Sequence, residues 1–270
     1  STVSTVNTGV GGHVGIDVLF PQCSDASNPT KQDKYGVDHV PYPSGTPFAI
    51  VGFNHGIAGS YNTCFVSEYN DAQALTGAAA EPKGSVYLNT GDPGTASTEN
   101  WPTSNTTKAG TPVSNPMGTC KGKAGKACAY VYGYSMAEYA ITNMKLLVGS
   151  GTGMIAAMPT MFWLDVETSN TWSPTDKTAN SESIRGMVDY LKSQSLPVGY
   201  YSTSYQWGRI AGITSSTSAI AGLPSWLAGT SPATAPKDCE EAGLTPGSTV
   251  WMLQYVYTFD EDYACQTFPS

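Results

Sequence analysis

The sequence predicts an α/β fold of the (β/α)8, TIM-like barrel class, regular or irregular, with a long loop insertion. Seven short apolar runs recur along the chain, at residues 14–18, 48–53, 85–89, 161–167, 197–202, 225–228 and 250–255. Most of these runs lack alternation of apolar and polar residues, as is typical of strands covered on both faces in a parallel sheet. Helical patterns lie between the runs, and one further hidden strand would close an eight-stranded barrel. An open doubly wound sheet is the alternative.

Three helices are predicted between the strands. The first covers residues 68–78. In the second, Ser135 and Glu138 have the spacing of a capping box, and Gly149 would stop the helix. In the third, Asn180 would be the N-cap of a helix whose apolar stripe faces the sheet through Ile184, Met187, Val188 and Leu191.

Residues 90–127 are rich in Gly, Thr, Ser, Pro and Asn and show almost no apolar periodicity, which predicts a long insertion. Segments of this kind are either functional or linkers. Cys120 and Cys128 near its end indicate an ordered, disulfide-pinned excursion. A smaller excursion covers residues 229–247. Because no linker separates two halves, we expect residues 1–270 to form a single barrel domain.

The composition excludes two classes of partner. The 13 Lys and Arg residues against 21 Asp and Glu give a net charge of −8 and a pI near 4.7, so we expect no nucleic-acid partner. The apolar runs are far shorter than the roughly 20 residues that cross a bilayer, so we expect no membrane insertion. The chain begins at Ser1 without an initiator Met, from which we expect a mature, secreted extracellular chain. We also expect a monomer.

The six cysteines support an oxidising compartment. They contain no Cys-x-x-Cys pair, which favours three disulfides over a zinc or redox site. A bond between Cys120 and Cys128 would staple a polar loop, and one between Cys239 and Cys265 would tie down the C-terminus. Other connectivities stay open at this point.

Other kinds of chemistry have weaker signals. The histidines at positions 13, 39 and 55 lack ligand-like spacing, so no metal is expected. The chain contains no Gly-x-Ser-x-Gly elbow of a serine hydrolase. Its glycine-rich residues 149–153 lack the Gly-Lys-Ser/Thr ending of a phosphate loop. We therefore expect a reaction without a cofactor.

The most informative segment is 161–167, which reads Met-Phe-Trp-Leu-Asp-Val-Glu. Residues two apart in a strand point to the same side, so Asp165 and Glu167 would share one face at the end of an apolar strand. Burial and mutual repulsion would raise one carboxyl pKa and create a general acid beside an ionised neighbour. The alternative places both acids just past the strand, in water or capping a turn.

Asp17 interrupts the first apolar run in the same way. Parallel barrel strands end on one rim, where active sites of this fold lie, so Asp17 would meet Asp165 and Glu167 at one mouth. The alternative is a structural acid held by backbone amides.

Short motifs across most of the chain resemble a known family. They are GIDV at 15–18, LDVE at 164–167, VGYYSTSYQW at 198–207, PSWLAG at 224–229, and LQY at 253–255 followed by the acidic DED. The sequence is similar to glycoside hydrolase family 25, the (β/α)8-barrel lysozymes that cleave peptidoglycan between N-acetylmuramic acid and N-acetylglucosamine. It also resembles an uncharacterised group of secreted actinobacterial glycoside-hydrolase-like domain proteins.

The resemblance implies a role for each acid. Glu167 would protonate the glycosidic oxygen as the general acid, and Asp165 would orient the substrate acetamide or stabilise the charged intermediate. Asp17 would line the same site, and the family's late aspartate matches Asp262, with Asp260 as the rival. An inverting reaction and assistance by the substrate's N-acetyl group both remain open. Further substrate contacts are expected from Tyr201, Trp226, Tyr255, Asn54 and Asn89.

Two segments depart from the family pattern. Residues 52–56 read Gly-Phe-Asn-His-Gly where the lysozymes usually show a Lys-x-x-Glu-Gly-like segment, and 253–255 read Leu-Gln-Tyr in place of Trp-Gln-Tyr. The predicted function is a secreted glycoside hydrolase of muramidase type, which cleaves a cell-wall or extracellular polysaccharide by carboxylate acid–base catalysis. The alternatives are a non-catalytic carbohydrate-binding or wall-associated barrel protein and a glycosidase acting on a different polysaccharide.

Overall fold

The computed structural model describes residues 14–19, 42, 45–75, 84–97, 99–256 and 260–266. In this part of the chain the strands are β1 Val14–Val18, β2 Ala49–Gly52, β3 Ser85–Asn89, β4 Met161–Asp165, β5 Val198–Ser202, β6 Ser225–Ala228, β7 Val250–Val256 and β8 Asp260–Ala264. They close into a barrel in sequence order. Strands β1 to β7 pair in parallel, whereas β8 runs antiparallel to β7 and β1. The predicted barrel class is confirmed, in its irregular form, and closure excludes the open sheet.

The helices of the described residues follow the strands as in a βα repeat. They are α1 Phe65–Ala74, α2 Lys126–Leu147, α3 Lys177–Ser193, α4 Ser204–Ile210 and α5 Ala235–Asp238, with a 3-10 turn at Gly94–Ala96. The first predicted helix is present as α1, although residues 76–78 lie outside the described part of the chain.

Helix α2 begins well before the capping box predicted at Ser135 and Glu138, so that prediction is wrong. These two side chains bind the insertion instead. Ser135 Oγ accepts a hydrogen bond from the Lys108 N–H at 2.9 Å, and Glu138 Oε1 accepts one from Thr111 Oγ1 at 2.6 Å. The helix is covered on one side by the barrel and on the other by the insertion. A helix buried on two sides has no narrow apolar stripe, so no periodic pattern marked its first turns.

The N-cap of α3 is Asp176, not Asn180 as predicted. Asp176 Oδ1 accepts a hydrogen bond from a first-turn backbone N–H at 2.9 Å. Asn180 lies inside the helix, where its side chain bonds the backbone of Ser173 and the carbonyl oxygen of Ile210. The apolar stripe was predicted correctly, since all of its members are buried: Ile184, Met187, Val188 and Leu191.

The two faces of the barrel strands bury different sets of side chains. Outward-facing residues, such as Phe162 and Leu164 of β4, pack against the helices. Inward-facing residues fill the barrel with an apolar core of Phe48, Ile50, Met161, Trp163, Trp226, Met252 and Ala264. Because side chains alternate along a strand, Asp165 points to the same side as Trp163. The core packing therefore directs this acid toward the barrel mouth.

The insertion between β3 and α2 is an ordered segment with its own packing. Trp101 and Val113 pack with residues of α2 in one apolar cluster. Asn105 Oδ1 accepts hydrogen bonds from the Cys120 N–H at 2.8 Å and from Asn115 Nδ2 at 3.1 Å. The insertion is thus anchored to the outer face of α2.

Both disulfides predicted by position are confirmed. Cys120 is bonded to Cys128 with their Cα atoms 4.6 Å apart, and Cys239 is bonded to Cys265 with a Cα separation of 5.6 Å. The first bond joins the end of the insertion to the first turn of α2. The second ties β8 to the segment after α5.

One of the six cysteines, Cys23, and two of the three histidines, His13 and His39, lie outside the described residues. Cys64, immediately before α1, is disulfide-bonded, and none of the described cysteines is free. Among the described helices, none is both long and apolar enough to cross a membrane.

A buried acid in α1 links the stability of the fold to pH. Glu68 is 2% exposed, and its Oε2 accepts a hydrogen bond from Asn62 Nδ2 at 2.8 Å. Its Oε1 is buried without a hydrogen-bond partner among the described residues. Burial raises the pKa of Glu68 from its ordinary 4.5 to about 7. The folded chain therefore holds this proton more tightly than the unfolded chain does.

Because the pKa of Glu68 is higher in the folded chain than in the unfolded chain, its proton contributes fully to the free energy of unfolding below about pH 4.5. This contribution is lost as the pH rises through about 7. The loss amounts to about 3 kcal/mol at most. We expect Glu68→Gln to reduce the fall in the free energy of unfolding between these pH values by up to that amount, as measured by urea denaturation. The exposed control Glu241→Gln leaves the fall unchanged. Identical pH dependence in Glu68→Gln and the wild type would contradict this origin.

Candidate active site

A cavity of about 430 Å³, here called the acid pocket, opens at the carboxyl ends of the parallel strands. Active sites of this fold lie at that end, and the volume is within the roughly 300–1,000 Å³ of small-molecule sites. The pocket is lined by side chains from most of the barrel, including Asp17, Tyr87, Asn89, Asp165, Glu167, Tyr201, Trp226, Gln254 and Asp260. The three acids that were predicted to converge lie around one hollow.

Asp165 and Glu167 form a coupled carboxyl pair. Asp165 is 4% exposed, and its Oδ2 accepts a hydrogen bond from Asn89 Nδ2 at 2.7 Å. Burial, followed by repulsion from and hydrogen bonding with the Glu167 carboxyl, raises the pKa of Asp165 well above its usual range. Two carboxyls that interact in this way titrate as a pair, and the pair keeps one proton to higher pH than an isolated carboxyl does. The pair can therefore deliver a proton to a bound ligand.

The backbone around this pair is held by further polar contacts. Asn54 Oδ1 accepts a hydrogen bond from the Asn89 N–H at 2.8 Å. The carbonyl oxygen of Asp165 accepts hydrogen bonds from Thr90 Oγ1 at 2.6 Å and from Asn170 Nδ2 at 3.0 Å. The position of Asp165 is thus fixed by neutral donors from two loops.

Asp17 and Asp262 form a second carboxyl pair on the adjoining strands β1 and β8. Asp262 is fully buried. Burial and the neighbouring Asp17 carboxyl raise the pKa of Asp262 well above its usual range. Asp262 therefore keeps its proton to higher pH than an exposed carboxyl does, and Asp17 lines the pocket.

Gln254 connects the two sides of the pocket. Its Nε2 donates a hydrogen bond to Asp17 Oδ2 at 2.6 Å, and its Oε1 accepts one from the Tyr201 hydroxyl at 2.6 Å. Tyr201 lies opposite Asp165 in the register of β5 with β4. An amide suits this position because it can donate and accept at once. The orientations of Asp17 and Tyr201 are thereby coupled.

Aromatic rings form the inner wall of the pocket. The Tyr201 and Trp226 ring centroids are 4.4 Å apart, and Trp226 contacts Trp163 edge-on at 5.9 Å and Tyr87 at 6.3 Å. Large flat rings with a polar edge suit contact with a sugar ring. The wall is held by mutual packing and needs no ligand to keep its shape.

Six of the predicted site residues line the pocket: Asp17, Asp165, Glu167, Tyr201, Trp226 and Asn89. Three others lie elsewhere. Asn54 and Asp262 are buried in support of lining residues. Tyr255 packs in an apolar cluster with Leu227 and Tyr263, outside the pocket. Because neighbouring residues of a strand face opposite sides, the inward position of Gln254 places Tyr255 on the outer face.

The sequence prediction missed Gln254, Tyr87 and Asn170 as lining residues. A signal existed for Gln254, which interrupts the apolar strand β7 in the way that Asp17 interrupts β1. Asn170 lies in the loop after β4, where no periodic pattern marks it. Within the described residues, no group of His, Cys, Asp and Glu has an arrangement that could hold a metal ion.

A family model described as lysozyme-like protein 1 matches residues 154–236, a span that contains Asp165, Glu167, Tyr201 and Trp226. This match supports glycoside hydrolase activity. No curated protein sequence matches the chain.

Solved structures share the fold at low sequence identity. The chain is similar to the modular Cpl-1 endolysin, whose structure holds a peptidoglycan analogue, with a TM-score of 0.52 and 12% identity over 97% of this chain. It spans 56% of the length of that endolysin. A muramidase from Trichobolus zukalii has a TM-score of 0.49 and 18% identity over 96% of this chain and 94% of its own. A bacterial lysozyme from Streptomyces coelicolor has a TM-score of 0.49 and 16% identity, and the match covers 94% of this chain and 93% of the lysozyme.

We expect Gln254→Leu to lower the free energy of unfolding by about 1–3 kcal/mol, because the variant removes the hydrogen bonds that the Gln254 amide makes with Asp17 and Tyr201. The measurement is urea denaturation, with Gln73→Leu on the exposed face of α1 as the control that changes little. In a double-mutant cycle, Tyr201→Phe and Gln254→Leu have a coupling energy of about 0.5–3 kcal/mol. Strict additivity of the two substitutions would show that the bridge contributes nothing.

Proposed function

We propose that the chain is a secreted glycoside hydrolase of muramidase type that cleaves the glycan strands of peptidoglycan. The convergence of the Asp165–Glu167 pair with Asp17 at one pocket carries the proposal. The lysozyme-like match over residues 154–236 supports it. The disulfides support an extracellular location. The finer assignment to glycoside hydrolase family 25, with its actinobacterial relatives, rests on the sequence motifs and belongs to the same proposal.

Glu167 is the proposed general acid. It reaches the pocket from the end of β4, next to the more deeply buried Asp165. In the proposed reaction, Glu167 donates the proton of the pair to the glycosidic oxygen as the bond to the sugar ring breaks. The Asp17 carboxyl faces the same space and stabilises the positive charge that develops on the ring.

The contact between Asp165 and Glu167 bears on the route of the reaction. When a carboxylate attacks the sugar directly, the acid and the nucleophile lie about 5–5.5 Å apart on opposite sides of the bond. Asp165 is the last residue of β4 and Glu167 follows it by two residues, so both carboxyls enter the pocket from the end of the same strand. This favours assistance by the substrate's own N-acetyl group, with Asp165 orienting that acetamide, as the exception to the two-carboxylate scheme.

We expect Glu167→Gln to lower kcat on purified peptidoglycan by about 10²–10⁴-fold, because glutamine keeps the size of the side chain and cannot donate the acidic proton. Release of reducing ends measures the activity, and neutral glycans assayed in parallel identify a different polymer if one is the substrate. The surface control Glu240→Gln retains wild-type kcat. Sugar binding without hydrolysis of any glycan by the wild type would identify the alternative, a non-catalytic carbohydrate-binding barrel.

The pH profile tests the shared proton separately. The raised pKa of Asp165 means that the pair keeps its proton to higher pH than an isolated carboxyl does, so activity falls on the alkaline side as that proton is lost. Asp165→Asn removes the second carboxyl of the pair, which leaves Glu167 to titrate without it, and we expect the alkaline limb of kcat/KM to move to lower pH by about one unit. An unmoved limb in Asp165→Asn would contradict a proton shared by the pair.

A further inference from the structure

A second cavity of about 380 Å³ adjoins the acid pocket. Asn170, in the loop after β4, lines both. The other walls come from the loop after β2 and from the insertion, which follows β3. They include Ile57, Pro93, Ala96 and Asn100. We call it the insertion cavity. Ile57 and Thr90 of this cavity also directly follow Gly56 and Asn89 of the acid pocket, so the two cavities lie next to each other.

The lining of the insertion cavity is uncharged among the described residues. Ile57 is 61% exposed and, with Pro93 and Ala96, offers an apolar surface. Asn100 adds an amide, and its Oδ1 accepts a hydrogen bond from Lys108 Nζ at 2.8 Å. The Lys108 charge is matched by Glu99, 3.0 Å away. A ligand in this cavity therefore meets apolar and neutral polar groups.

Tyr132 of α2 supplies a polar group. It lines the cavity and is 4% exposed. Its phenolic hydroxyl can donate and accept a hydrogen bond, so it offers a polar group to a ligand in the cavity. Trp101 of the insertion packs beside the ring, with centroids 5.6 Å apart. The ring is therefore held in place before a ligand binds.

The backbone around the cavity is also preformed. The Asp92 N–H donates a hydrogen bond to the Thr171 carbonyl oxygen at 2.8 Å, and Ser183 Oγ donates one to the Gly91 carbonyl oxygen at 2.6 Å. A Cβ at Gly91 would lie 2.9 Å from the Thr171 oxygen, so the two segments approach as closely as glycine allows. A rigid cavity binds a ligand with a smaller loss of conformational entropy.

We propose that the insertion cavity is a second glycan subsite that takes an uncharged N-acetylhexosamine ring of the same strand whose scissile bond lies at Glu167. This inference rests on the proposed function. An apolar face, amides and a hydroxyl are the groups that a neutral sugar with an acetamide can use. A peptide bearing carboxylates would find no cation among the described lining residues. In this arrangement the acid pocket of the barrel binds the glycosidic bond that is cleaved, and the insertion cavity binds another sugar ring of the same glycan strand.

The test measures binding to the Glu167→Gln variant, which prevents turnover, by calorimetry with a disaccharide and a tetrasaccharide from peptide-free peptidoglycan strands. Ala96→Trp fills the insertion cavity, and Ala109→Trp places the same side chain at an exposed position of the insertion outside it. We expect Ala96→Trp to weaken tetrasaccharide binding about tenfold and to leave disaccharide binding within about twofold. Tyr132→Phe, which removes one oxygen atom, weakens the tetrasaccharide in the same direction.

Equal tetrasaccharide affinity in the Ala96→Trp and Ala109→Trp variants overturns the proposed subsite. The proposed subsite is also overturned if the Glu167→Gln protein binds neither the disaccharide nor the tetrasaccharide. If the wild type hydrolyses peptidoglycan while these two variants bind equally, the subsite alone is wrong. If Ala96→Trp weakens the tetrasaccharide while the wild type hydrolyses no glycan, the subsite stands and the hydrolase proposal falls.

Discussion

The burial of Asp165 is the constraint on which the site depends. Strand β4 places this carboxyl in line with Trp163 and Met161, so the packing that fills the barrel also takes the acid out of water. An isolated buried carboxylate costs several kcal/mol. No Lys or Arg is among the described residues that line the acid pocket, and Asn89 offers a neutral donor. Retaining a proton beside Glu167 is the remaining way to reduce that cost.

The same constraint explains why the acids occur in pairs. Asp262 is buried behind Asp17, and Asp165 lines the pocket beside Glu167; in each pair the more buried carboxyl has a raised pKa. The less buried member of each pair thus has a partner that can hold the proton. Gln254 links Asp17 to Tyr201, which lies opposite Asp165 in the sheet, with hydrogen bonds that add no charge. Such an arrangement can supply a proton on one side of a ligand and negative charge on another.

Much of the barrel could be predicted from local sequence, because apolar runs without alternation mark strands covered on both faces. Strand β8 was not marked, since Asp-Glu-Asp begins it and its pairing with β7 and β1 is a property of the closed barrel. The start of α2 was missed for a related reason. Its apolar residues face two partners, so its burial follows from tertiary contacts that a helical periodicity does not encode.

Within the site, alternation along a strand was informative where the register was known. It placed Asp165 of β4 on the side of the pocket, and Glu167, two residues past the end of β4, lines the pocket too. The choice of Tyr255 over Gln254 on β7 was off by one residue. One step along a strand exchanges the two faces, so a motif quoted without its register cannot separate them. Asn170 and Tyr132 were beyond reach for a different reason. Their positions in the cavities follow from the loop after β4 and from the insertion folding against α2.

The two cavities at the barrel mouth are built from different parts of the chain. The acid pocket is built from strand residues whose places are fixed by the barrel core, so its chemistry tolerates little change. The insertion cavity is built largely from loops, and its walls are stabilised by Trp101, by the Cys120–Cys128 bond and by the hydrogen bonds to Ser135 and Glu138. Changes in the insertion can therefore alter which ligand reaches the acids without disturbing the carboxyl pairs. Helix α2 packs between the insertion and the barrel, so it fixes the position of the insertion cavity relative to the acid pocket.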